Sequence, residues 1–366
     1  MVVDYKALKS GGFMRQKQKD RFSLRLKVVG GNLTAGQIRT IADMSQKYGD
    51  GHIHLTSRQG VEIPFIRLAD VEKVKADLEA GGVFTGVCGP RVRTVTACQG
   101  SEICPSGCID TYALAQAISR RYFGRELPHK FKFGVTGCQN NCLKAEENDL
   151  GVKGGCRVSW EEESCTFCGV CLKACREGAL SLRDRKILLA ADLCNNCGRC
   201  FQSCPAGAWK GEPGYLVSFG GMFGNRIARG RQILPLLQDT ESLFRAADAA
   251  LAFFDRHARP GERFRTAIDR AGWDAFAAAI QESRAAPEYR IDETLDITDV
   301  VCPVTFAKAL AALEELEEGR VLSIRMNDGE PAQNVPRSLK DEGHQILRLV
   351  DNADGTCTLI TRKVGG

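Results

Sequence analysis

No run of the chain stays apolar for long enough to cross a bilayer. The N-terminal stretch MVVDYKALKSGGFMRQKQKDRF is polar and has no apolar core segment, so it does not read as a secretory signal. No basic run is interleaved with aromatics, and the net charge of +5 is mild for 366 residues, which argues against a nucleic-acid partner. No glycine-rich dinucleotide fingerprint opens a βαβ unit, so NAD(P)H is not expected to bind this chain directly. What remains is a cytoplasmic globular protein of two or three domains, with 43% hydrophobic and 26% charged residues. Its slight positive charge suits an enzyme that collects anions.

Cysteine is abundant: seventeen residues at short, repeated spacings. A cytosolic chain keeps its thiols reduced, so clustered cysteines there mean metal or redox chemistry. The strongest pattern is CTFCGVCLKACR followed by CNNCGRCFQSCP, each half reading C-x2-C-x2-C-x3-C. Three cysteines of one half wrap a corner of a cubane and the fourth reaches the cluster of the other half. Cys165, Cys168, Cys171 and Cys204 are thus expected to hold one [4Fe–4S] cluster, and Cys194, Cys197, Cys200 and Cys175 a second. Zinc is the competing reading, and these spacings disfavour it. Pro205 follows the fourth cysteine of the second half, but Arg176 takes that place in the first.

A second constellation runs from Thr96 to Lys144. Cys98 and Cys104 open it and Cys138 and Cys142 close it, with Lys130 and Lys132 alternating along an expected strand just before the second pair. These four cysteines are expected to hold a further iron–sulfur cluster in contact with a haem-like cofactor, while the basic residues grip an anionic substrate. Cys108 follows Cys104 in a segment, Cys104 to Phe123, that looks helical; it reads as a packing thiol or a ligand. Cys88, Cys156 and Cys357 read as packing thiols.

Along the chain, Phe22 to Val29 alternates as a half-buried strand, and Thr34 with Gln37 forms a capping-box pattern before a helix ending near Gly49. Two strands joined by SRQG and a helix from Asp70 to Gly81 complete a β-α-β-β-α unit, with Arg58 in the turn. Gly220, Gly221 and Gly224, followed by Arg226, allow close backbone approach to a flat ligand, or form a glycine-rich turn before a basic helix start. Amphipathic helices are expected from Glu241 to His257 and from Glu262 to Ser283. Beyond a linker around Pro287 lies a small α+β module. In it Cys302 precedes Pro303 at a helix start, where the dipole and free N–H groups favour a reactive thiolate.

Residues 20 to about 285 resemble the sirohaem-containing sulfite and nitrite reductases, above all the small kind with an inserted ferredoxin domain. The residues that carry the resemblance are Cys98, Cys104, Cys138 and Cys142; the turn Thr56, Arg58, Gln59; Arg93 ahead of the first cysteine; and Lys130 and Lys132. The resemblance implies that Cys142 bridges a cubane to the sirohaem iron, and that Arg58, Arg93, Lys130 and Lys132 bind substrate and supply protons. It implies cofactor contacts at Gln59, Arg91, Asn141, Gly220, Gly221, Gly224 and Arg226. Residues 293–364 resemble the TusA/SirA sulfur carriers through Cys302-Pro303, with Thr305 where a second proline is more familiar; Cys302 would carry a persulfide.

The expected fold is α+β: a ferredoxin-like unit (1–84), a sirohaem and [4Fe–4S] domain (85–155 and 211–285), an inserted two-cluster ferredoxin domain (156–210), and a TusA-like α/β sandwich (291–366). The expected function is six-electron reduction of sulfite to sulfide using sirohaem and three [4Fe–4S] clusters. Nitrite reduction to ammonia and non-catalytic electron or sulfur transfer are the alternatives, and reverse operation would use the same residues. An electron-donor subunit or ferredoxin and a sulfur-acceptor protein are the expected partners. Single-chain members of the family carry two copies of the half-domain and this chain shows one. A homodimer is therefore expected, with the cations of one protomer facing the cofactor of the other.

Overall fold

The computed structural model describes residues 3–283, 289–300, 304–352 and 354–365. Cys302 and Pro303 lie outside the described residues. The chain divides into two compact units, residues 1–284 and 285–366.

The first unit opens with α1 (Tyr5–Ser10), β1 (Phe13–Arg15), β2 (Arg21–Arg25), α2 (Ala35–Tyr48), β3 (His54–Leu55), β4 (Val61–Arg67) and α3 (Val71–Ala80). The strands form a sheet in the order β1-β2-β4-β3 among the described residues. The capping box forms as expected: the Thr34 hydroxyl accepts from the Gln37 N–H at 3.1 Å, and the Gln37 side chain accepts from the Thr34 N–H at 3.0 Å. Phe22, Leu24, Ile63 and Ile66 lie on the inner face and pack with Val74 and Leu78 of α3.

The central part contains β5 (Thr96–Ala97), α4 (Thr111–Tyr122), β6 (Phe133–Thr136) and β7 (Leu150–Trp160). The cysteine-rich segment follows with α5 (Val170–Ala174), β8 (Leu180–Arg183), β9 (Lys186–Leu189) and α6 (Arg199–Gln202). The chain then returns through β10 (Trp209–Phe219), β11 (Arg231–Gln232), α7 (Thr240–His257), α8 (Phe264–Ala271) and α9 (Trp273–Glu282). Its sheet runs β11-β10-β7-β6-β5, parallel at β5-β6-β7 and antiparallel at β7-β10. The core gathers the aromatic side chains of Phe131, Phe133, Phe219, Phe254, Phe264 and Phe276, the packing surface for α4 and α7–α9.

Three segments depart from the sequence reading. Cys104 to Gly107 is turn, not helix: Pro105 and Gly107 keep the chain out of α geometry, and α4 starts only after Asp110, whose carboxylate accepts from the N–H groups of Tyr112 and Ala113 at 3.0 Å. The expected helix from Glu262 to Ser283 is broken at Gly272, whose φ of 100° no helix accommodates. No helix follows Arg226: residues 223–230 form loop and bend around a Met222–Ala228 bridge.

The second unit contains β12 (Glu293–Asp296), α10 (Val304–Glu314), β13 (Val321–Asn327), α11 (Glu330–Asp341), β14 (Gln345–Asp351) and β15 (Thr356–Arg362). Its strands run β12-β13-β15-β14, with the first pair parallel. Leu313, Leu322, Ile324, Leu339 and Leu359 form its core, which buries Cys357 as a packing thiol. No described helix of either unit is long and apolar enough to cross a membrane.

Candidate active site

The sequence Lys130-Phe131-Lys132-Phe133 alternates, and the extended backbone sends alternate side chains to opposite sides. Phe131 and Phe133 are buried in the core, which leaves Lys130 and Lys132 on the other side, lining a cavity of about 300 Å³. Arg93 joins them because its strand-like segment runs alongside: the Arg93 N–H donates to the Phe131 carbonyl at 2.9 Å. Arg58 arrives from the β3–β4 turn. That turn is closed by Thr56, whose N–H donates to Gly60 O at 2.8 Å and whose hydroxyl accepts from the Gly60 N–H at 3.0 Å. Arg25 of β2 completes a wall of five cations.

Two neighbours that the sequence reading missed hold this wall. Asn148 accepts from Arg58 Nη1 at 2.9 Å, while Arg58 Nη2 donates to Thr94 O at 3.1 Å. Asp149 is wholly buried. It accepts from Arg263 Nη2 at 3.0 Å and from the Lys132 N–H at 2.9 Å. Parallel pairing of β6 with β7 sets this contact, because Phe133 lies opposite Leu150 and so brings Lys132 beside Asp149. The only sequence signal for either residue is a polar Asn-Asp pair just ahead of an apolar strand, and Arg263 is 114 residues from its partner.

Crowding of like charge away from water shapes the electrostatics. Burial lowers Arg58 to about 10, with Asp149 pulling the other way and Arg93 and Arg263 adding to the fall. Burial and then Arg58 lower Lys132 to about 8. Lys130 and Arg93 are lowered too, burial being the main cause. Burial pushes the Asp149 carboxyl up, against Arg263 and Lys132. Nε of Arg93, Nε of Arg263 and Nδ1 of His129 are buried without a hydrogen-bond partner. A cation-rich cavity with unmatched donors close by fits an anion that carries several acceptor oxygens.

Cys98, Cys104 and Cys142 are all close enough to Cys138 to act on its thiol electrostatically, so the two loops bring the four cysteines together. The Gly137 N–H donates to Cys98 Sγ at 3.0 Å, the kind of contact that suits a thiolate ligand. Among the described residues no His, Cys, Asp or Glu side chains converge as they would around a single metal ion. The donor set is all thiol, which fits a cluster. Cys142 is exposed, and Lys144, two residues on, has its ammonium 5.7 Å from the centre of the exposed Phe223 ring.

Other residues singled out from the sequence have partners within the chain. Both ends of the Gln59 amide are taken by Ala97, at 2.8 and 2.9 Å. Asn141 sits at φ 52° and accepts from the Ala145 N–H at 2.8 Å, which shapes the loop after Cys142. Arg91 pairs with Glu126 and does not line the cavity. Gly220 and Gly221 are buried, and a Cβ on Gly221 would meet the Glu146 carbonyl oxygen at 2.1 Å. Their smallness serves chain packing at this point. Gly224 and Arg226 are exposed in the loop that carries Phe223. Cys88 is more than filler: its thiol lies 3.2 Å from Arg25 Nη1 and close to Arg93.

The profile described as nitrite and sulphite reductase 4Fe-4S domain matches residues 88–287. The chain belongs to the nitrite and sulfite reductase family. The nitrite/sulfite reductase ferredoxin-like half domain matches residues 14–81, and the sulfurtransferase TusA domain matches 293–363, so the C-terminal unit is a TusA domain. The chain is 34% identical over 256 residues to the coenzyme F420-dependent sulfite reductase of Methanocaldococcus jannaschii, covering 69% of this chain and 41% of that protein's length. It is 32% identical over 243 residues to an anaerobic sulfite reductase subunit from Salmonella typhimurium, covering 61% of this chain and 72% of the relative. In fold it is similar to a solved dissimilatory sulfite reductase I, with a TM-score of 0.60 at 17% identity over 74% of this chain and 72% of that one. Family membership makes it an enzyme of the sulfite/nitrite reductase class with iron–sulfur chemistry.

Proposed function

We propose that the chain reduces sulfite to sulfide by six electrons, with sirohaem and three [4Fe–4S] clusters. The observation that carries this reading is the meeting of Arg58, Arg93, Lys130 and Lys132 in one cavity backed by Asp149 and Arg263. Several cations with poor access to water favour an oxyanion of high charge density, and sulfite carries two charges where nitrite carries one. The TusA domain in the same chain favours sulfur over nitrogen as the reduced atom.

Cys98, Cys104, Cys138 and Cys142 would hold the catalytic cubane, with Cys142 as the bridge to the sirohaem iron. Sirohaem, when bound, would supply redox-active iron for the reduction. The chain does the rest. Arg58 and Arg93 orient the oxyanion, held by their own hydrogen bonds to Asn148, Thr94 and the backbone at Val87 and Gly89. Lys130 and Lys132 offset its charge. Lys132, lowered to about 8, gives one of the two protons that each oxygen needs to leave as water, and Lys130 or water in the cavity gives the other. Arg226 and Gly224, exposed in the loop that carries Phe223, would meet cofactor carboxylates.

Cys165, Cys168, Cys171 and Cys204 would hold one ferredoxin cluster, and Cys194, Cys197, Cys200 and Cys175 the other, fed by a donor subunit or ferredoxin. Cys302 would take sulfur at the four-electron stage, before sulfide forms, its thiol joining that sulfur as a persulfide for a further acceptor. The reading includes a cytoplasmic homodimer and domain limits at 84, 155, 210 and 291.

Turnover with reduced methyl viologen, compared for sulfite and nitrite, tests the reading. A higher kcat/KM for sulfite supports it. A higher value for nitrite replaces it with ammonia formation, and a purified protein with no tetrapyrrole band removes catalysis altogether.

A further inference from the structure

The two cysteine motifs of the inserted segment are not placed alike. Arg199 stands between Cys197 and Cys200 of the second motif. Its Nη2 donates to Asn140 Oδ1 at 3.1 Å, and Asn140 stands between Cys138 and Cys142. The same side is tightly joined elsewhere. The Cys108 N–H donates to Gly137 O at 2.7 Å while its thiol lies 3.9 Å from the Cys197 carbonyl oxygen. The Cys156 N–H donates to Asn196 O at 2.8 Å. Gly198, at φ 70°, lies so close that a Cβ there would come within 2.8 Å of the Cys156 Cβ. The first motif looks outward. Cys168 is exposed, Val170 and Leu182 are 38% and 41% exposed, and the Arg185 guanidinium, from the turn between β8 and β9, covers the Phe167 ring at 4.7 Å.

We propose that Arg199 is a positioning residue that latches the second cysteine motif to the Cys138–Cys142 loop, which makes the second motif the inner electron relay and the first the outer, donor-facing one. This rests on the cluster ligation proposed above. Electrons from a low-potential one-electron donor enter beside Cys168 and move inward one at a time. No bond is made or broken at the latch. Its task is to hold two ligand loops at fixed separation, because electron transfer between centres slows steeply with distance. The guanidinium is suited to this, being permanently charged and presenting a planar fork of donors to a neutral amide oxygen.

The holoprotein, its Arg199→Ala and Arg199→Lys variants, and Asn140→Ala are compared by two readouts. The first is hydrogen exchange of backbone amides 138–144. The second is low-temperature EPR of dithionite-reduced protein, for magnetic interaction between the ferredoxin clusters and the cluster at Cys98, Cys104, Cys138 and Cys142. At unchanged iron content, Arg199→Ala and Asn140→Ala should each raise exchange about tenfold and weaken the interaction, with Arg199→Lys in between. Exchange and EPR spectra identical to wild type in both alanine variants would overturn the proposal. If one alanine variant fails to fold, the other still decides, since each removes one end of the same hydrogen bond. Neither readout needs turnover, so a wild-type protein that does not reduce sulfite would sink the proposed function and leave the latch to be judged separately.

Discussion

The Arg58 guanidinium reaches Asn148 across ninety residues of sequence, at 2.9 Å. The other end of the Asn148 amide donates to the carbonyls of Lys144 and Ala145, just beyond Cys142. One side chain therefore ties Arg58 to the loop that carries Cys142, the most exposed of Cys98, Cys104, Cys138 and Cys142. Gly134 makes this possible, since a Cβ there would come within 2.2 Å of Asn148 Nδ2. Gly134→Ala should displace Asn148, free Arg58 and weaken sulfite affinity about tenfold or more, by the loss of a charge-assisted hydrogen bond. Isothermal titration of the oxidised protein with sulfite checks it.

Lys132 sets a pH limit. Its ammonium is lowered to about 8, so its charge is present below that pH and is lost as pH rises through it. Anion binding should weaken over the same interval. In Lys132→Arg the charge persists and binding should hold to higher pH; in Lys132→Met binding should be weaker by about tenfold or more and lose this step. Sulfite Kd against pH for the three proteins distinguishes them.

Asp149 is the buried anion among these cations. Asp149→Asn leaves Arg263 and Lys132 without their carboxylate, a change expected to cost about 3 kcal/mol or more. Urea unfolding should show a lower midpoint with an unchanged slope. An unchanged midpoint would mean that the cations are relieved by another anion.

Metal content is a direct count. Three cubanes and one sirohaem amount to about thirteen irons per chain. Anaerobically purified protein should give that figure with a tetrapyrrole band, and replacing Cys171 and Cys200 together should remove the ferredoxin share while keeping the band.

A persulfide holds sulfur two electrons above sulfide, so label from sulfite should reach Cys302 when donor electrons are limiting and reduction stops after four, and should be missing from Cys302→Ser, as read by mass spectrometry of the intact C-terminal peptide. Label found only as free sulfide would remove the carrier role.

Local rules carried the sequence reading where partners lie close in the chain. The Thr34–Gln37 capping box needs three residues of separation, and the alternation Lys130-Phe131-Lys132-Phe133 declares which side chains leave the core. The misreadings lie where a single residue overrules periodicity: Pro105 and Gly107 delay α4, and Gly272 splits the last helix of the first unit. Asn148, Asp149 and Arg263 were illegible for another reason. Their importance comes from strand register and from contacts across ninety residues or more, which no local pattern encodes. Gln59 shows the converse. Its motif was visible, but the bonds from both ends of its amide to Ala97 were not.

The ladder between β7 and β10 runs without interruption from Leu150 opposite Phe219 to Trp160 opposite Trp209. Everything between those two tryptophans, including eight of the cysteines, departs from and returns to a single rung. Closing a segment whose ends are already joined costs little more as it lengthens. The ladder itself therefore sets little limit on the length of what is spliced in at that point. What the insertion does to the rest of the unit it does through its own side contacts, Cys156 with Asn196 and Arg199 with Asn140, and not through the ladder.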